Sequence, residues 1–79
     1  MLTQDQLFRL VDEMVEFQHT KVLNIAREYY PGLTHEDIRN PQDYPLLSAS
    51  HRFNFEDGIL SGYLGMRMAI LAEIRLLEK

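Results

Sequence analysis

The last third of this chain sets small residues on a helical period. Gly58, Gly62, Gly65, Ala69 and Ala72 step by four, three, four and three, which places them on one stripe of an α-helix. Glycine in a helix interior costs about 1 kcal/mol relative to alanine, so three of them on one face require a compensating contact. Close approach of a second helix backbone, with dense van der Waals packing, supplies one. Beside this stripe runs a large one made of Phe55, Ile59, Tyr63, Met66, Ile70, Ile74 and Leu77, and Leu60, Leu64, Met68 and Leu71 occupy a third side. A helix that is apolar around most of its circumference is a buried helix. One neighbouring helix covers only part of such a surface.

A second helix is written into the first third. Gln4 to Tyr30 contains neither glycine nor proline, and Phe8, Val11, Val15, Gln18, Val22, Ile25 and Tyr29 alternate steps of three and four. Thr3 and Gln6 have the spacing of a capping box, and Asp5 in the first turn suits the helix dipole. Leu7, Leu10, Met14 and Phe17 widen the seam on one flank, and Leu23, Ala26 and Tyr30 widen it on the other. Pro31-Gly32 predicts the stop: proline ends the helix and glycine permits the reversal. The amide of Gln18 lies in mid-seam, where a buried polar group must find a partner, and it is expected to set register or oligomeric state.

The whole chain of 79 residues reads as one helical-hairpin domain: helix 4–30, a loop 31–52 with a short helical turn, and helix 54–78. Thr34 and Asp37 predict the helical turn, Asn40-Pro41 another turn, and Tyr44, Leu46 and Leu47 anchors onto the bundle end. Asn54 is the expected N-cap of the last helix. Setting Tyr30 level with Phe53 pairs Arg27 with Glu56, Glu16 with Arg67, and Arg9 with Glu73. The expected fold is all-α: an antiparallel hairpin that dimerises into a four-helix bundle, with the glycine–alanine stripe as the packing surface. Two-fold homodimers are the commonest assemblies, and self-association hides apolar area that a single hairpin leaves in water.

Composition narrows the function classes. There is no cysteine, which removes disulfides and thiolate metal sites and fits a cytoplasmic setting. A net charge of −4 with only eight scattered lysines and arginines argues against nucleic acid and against a basic membrane-binding face. The N-terminus lacks the basic and apolar regions of a secretory signal, and Ile59–Leu77 is broken by Arg67, Glu73 and Arg75 as a membrane span. The expected partners are a second copy of the chain and another protein, with no cofactor.

Three elements carry candidate chemistry. Glu16-Phe17-Gln18-His19 is an E-x-x-H element, and two copies of it from a dimer are the seed of a divalent-metal carboxylate bundle. The structural expectation is instead a solvated Glu16 paired with Arg67 and a histidine at the boundary of the core. His35, Glu36, Asp37, Asp43, His51, Glu56 and Asp57 gather near the loop, where a cation site or acid–base chemistry is the alternative to capping and turn roles. Asp12-Glu13-Met14-Val15-Glu16 resembles the E-E-x-x-E element of helical nucleotide pyrophosphohydrolases. The matched E-x-x-D that holds magnesium there has no counterpart in the last helix, and no family follows from it. A non-enzymatic interaction or assembly module is the expected function.

Overall fold

A computed structural model describes residues 1–78 and is helical, with no strand among them. Helix α1 spans Gln4–Tyr29, two 3-10 turns follow at Asp37–Arg39 and Pro41–Asp43, a one-turn helix α2 spans Pro45–Ser48, and α3 spans His51–Leu77. α1 and α3 form the hairpin, 45 Å long and 20 × 19 Å across.

Local chemistry accounts for each boundary. Thr3 and Gln6 form both halves of the capping box: the Gln6 amide donates to Thr3 Oγ1 at 3.1 Å and the Thr3 amide to Gln6 Oε1 at 2.9 Å. α1 ends at Tyr29, with Tyr30 extended before Pro31. Gly32 does not adopt a positive φ, so the reversal rests on the proline and not on glycine's left-handed freedom. Asp37 Oδ2 accepts from both the amide and the hydroxyl of Thr34 at 3.0 Å, closing the predicted helical turn. α3 begins a turn earlier than the Asn54 cap requires. Ser50 is the N-cap, its Oγ accepting from the Phe53 amide at 3.1 Å, and the Asn54 side chain donates backward to the Ser48 carbonyl at 3.0 Å.

That early start slides the register. Tyr29 reaches Ser50, with the two hydroxyls 3.4 Å apart, so Tyr30 is not level with Phe53. Arg67 pairs with Asp12 at 2.7 Å, one turn before Glu16. Glu56 pairs with Lys21 at 2.8 Å, and Arg27 donates to the Leu33 carbonyl at 2.8 Å instead of meeting Glu56. Arg9 and Glu73 are both exposed and form no ion pair among the described residues.

The core sits at the loop end. Val22, Leu23, Ile25 and Ala26 of α1 meet Phe53 and Leu60 of α3, and Leu33, Ile38 and Leu47 close the cluster from the loop. Leu47 and Phe53 are wholly buried, while Leu46, an expected anchor, is 53% exposed and contributes only a backbone amide to the Tyr30 hydroxyl. Toward the open end burial thins out. Val11 is buried there, Phe8, Ile70, Leu71 and Ile74 are half-buried, and Arg67 lies over the Phe8 ring, 5.7 Å from its centre. Among the described residues no helix is long and apolar enough to cross a membrane.

Candidate functional site

Two regions stand apart from the core. The first is the outer face of α3. Helical periodicity turns Phe53, Glu56, Leu60, Tyr63, Arg67 and Leu71 toward α1 and leaves Gly58, Gly62, Gly65, Ala69 and Ala72 on the opposite side, all exposed. A Cβ built at Gly58, Gly62 or Gly65 meets nothing within 4 Å. The close helix approach that the stripe implies is therefore not made by α1. Around the stripe, Phe55 is 69% exposed, Met68 69% and Met66 42%. On α1 the flank Leu7, Leu10, Met14 and Phe17 is likewise in the open, and Phe17 is 73% exposed.

The second region joins one residue from each part of the chain. His19 of α1 and His35 of the loop lie with ring centres 3.8 Å apart and planes tilted by 48°. Asp57, in the second turn of α3, faces them across a concavity of about 340 Å³ that Arg39, Ser61 and Leu64 also line. His35 Nδ1 is buried without a hydrogen-bond partner. Burial pushes the His19 imidazole below its ordinary value, and the neighbouring His35 adds to this; Glu16 opposes it, Arg39 reinforces it and Asp57 opposes it. Burial holds the Asp57 carboxyl above its usual range, and His19 partly offsets that. The cluster thus disfavours charge on both its acid and its base.

The other charged candidates take structural roles. Glu16 lines a different concavity, on the outside of α1 with Phe17, Lys21 and Arg52, so the E-x-x-H pair does not converge. Among the described residues no three histidine or carboxylate side chains are placed to hold a metal ion. Asp37 caps the loop turn. Glu36 pairs with Arg39, 3.3 Å apart on the surface. Glu56, only 8% exposed, accepts from Lys21 and from Gln18, and these two contacts hold its carboxyl below the usual range. Sequence reasoning placed His19 with Glu16 and His35 with the loop carboxylates, and missed that the two histidines meet. A contact between a helix residue and a loop residue has no period to betray it.

Compared with family models, curated proteins and solved structures, this chain matches none of them.

Proposed function

We propose that this chain is a self-associating helical module, in which the outer face of α3 packs against the same face of a second copy. Two copies joined this way make a four-helix assembly with both α3 helices in the middle. The observation that carries this reading is the open glycine stripe. Each glycine weakens α3 and makes no contact within the chain that a side chain would block. The cost has no return inside the hairpin, and a second backbone seated on the stripe supplies one.

Surface area supports the same reading. A compact monomer of 9.3 kDa exposes about 5,000 Å². This chain exposes 5809 Å². The excess, about 800 Å², comes with an elongated shape and open apolar residues on both α1 and α3. Isologous contact also suits the chemistry of the face, which is apolar and small at its centre and carries no charge at Gly58, Gly62, Gly65, Ala69 or Ala72.

Sedimentation of the parent and of Gly62→Leu tests the proposal. Gly62 is exposed and a Cβ there meets nothing within 4 Å, so the variant is expected to keep its hairpin and its helical circular dichroism. The parent is expected to sediment as a dimer and the variant as a monomer. A parent that remains monomeric at high concentration, or a variant that assembles as tightly as the parent, overturns it.

A further inference from the structure

We propose that the His19–His35 contact is an acid-sensitive latch, which holds the segment Leu33–Arg39 on α1 and loosens it when both rings carry protons. The argument rests on where the two rings sit. His35 follows Leu33 and precedes Ile38, the two residues of this segment buried in the core cluster with Leu23, Ala26 and Leu60. Its ring meets α1 3.8 Å from His19, beside the hydrogen bond that Arg27 of α1 gives to the Leu33 carbonyl. Its Nδ1 is enclosed without an acceptor, so a proton placed there has no carboxylate or carbonyl to receive its hydrogen bond.

Every charged group facing the pair bears on the outcome. From α1 comes Glu16, from α3 Asp57, and from the loop Arg39, itself tied to Glu36. A first proton on the pair is already disfavoured by burial, which Glu16 and Asp57 offset only in part. A second puts two cations in one contact next to Arg39, where partial burial weakens solvent screening. The neutral pair is compatible with the closed loop and the doubly charged pair is not. Histidine is the side chain whose ordinary titration spans this range. Loosening the segment removes Leu33 and Ile38 from the cluster that α1 and α3 share with them.

Amide hydrogen exchange on the intact chain, expressed as protection factors so that intrinsic rates cancel, tests the latch. Between about pH 7.5 and about pH 5, protection over residues 33–39 is expected to fall by about tenfold, while α1 and α3 keep theirs. In His35→Phe, which keeps a ring against His19 and cannot take a proton, that fall is expected to shrink to the part that burial of His19 alone supplies. His51→Gln, altered in the exposed first turn of α3, is expected to behave as the parent does. Unchanged protection of this segment in the parent overturns the proposal without recourse to any variant. An equal fall in His35→Phe also overturns it.

Discussion

The side-chain amide of Gln18 donates to two acceptors of one residue: the main-chain carbonyl of Glu56 at 2.8 Å and its carboxylate at 3.2 Å. Gln18 lies in the middle of α1 and is 5% exposed, so this is the buried polar tie between the two long helices. Lys21, one turn along, holds the other carboxylate oxygen at 2.8 Å. A one-residue slide of α3 breaks all three contacts at once. Replacing Gln18 with methionine keeps the volume and removes both donors. The expected loss is about 1–2 kcal/mol, or a fall in melting temperature of roughly 5–15 °C for a domain this small, read by thermal circular dichroism.

Acid sensitivity follows from the same residue pair. The contacts from Lys21 and Gln18 lower the pKa of Glu56, and hydrogen bonds from the backbone and side chain of Thr34 lower that of Asp37. A carboxylate depressed in the folded state binds protons more readily when unfolded. Its contribution is therefore complete above the ordinary carboxylate range and disappears as pH falls through the depressed folded value. Denaturant titrations from neutral to about pH 3 are expected to show stability falling on this limb. Glu56→Gln is expected to be weaker at neutral pH and to fall less steeply.

The glycine stripe gives a prediction with two opposite signs. Gly58→Ala, Gly62→Ala and Gly65→Ala each remove the flexibility of glycine at a site with open space for a methyl group. Each is expected to raise the stability of the lone hairpin by about 0.5–1 kcal/mol. The triple variant is expected to melt higher than the parent at high dilution. Its dimer, if the outer face of α3 is the seat of a second copy, is expected to be weaker by sedimentation equilibrium, because three methyl groups hold the backbones apart.

Core truncation at the loop end is expected to be severe. Leu47 comes from a four-residue helix that has little stability of its own, yet its side chain is wholly buried beside Phe53. Leu47→Ala is expected to cost about 2–5 kcal/mol and Phe53→Ala about 3–5 kcal/mol. Against the few kcal/mol available to a domain of this size, either change unfolds a large share of the molecules at room temperature, visible as lost ellipticity. Leu46→Ala, at the neighbouring exposed position, is expected to change little.

What could be read in advance was what is local. The capping box at Thr3 and Gln6 and the tie between Thr34 and Asp37 each depend on side chains three residues apart, so spacing alone reveals them. The α1 seam from Val11 to Ile25 was legible because its period matches the helix. Register was not. Ser50 and Asn54 are both good caps, and choosing between them depends on what Tyr29 and the Ser48 carbonyl do in three dimensions. Leu46 and Leu47 are adjacent leucines in a turn, with no period to say which one points inward. The meeting of His19 with His35 required the loop to fold back on α1, and that path is set by the burial of Leu33 and Ile38.

Concentrating the core at the loop end also orders events during folding. Contacts among Val22, Ile25, Phe53 and Leu60 close a loop of some 30 to 40 residues, whereas Phe8 and Arg67 must find each other across about 60. Ring-closure entropy favours the shorter closure, and once it is made each further turn is brought nearly into place by the one before it. The hairpin is therefore expected to nucleate around Phe53 and zip outward. Mutations near the bend should slow its formation, while those toward the open end should chiefly speed its undoing.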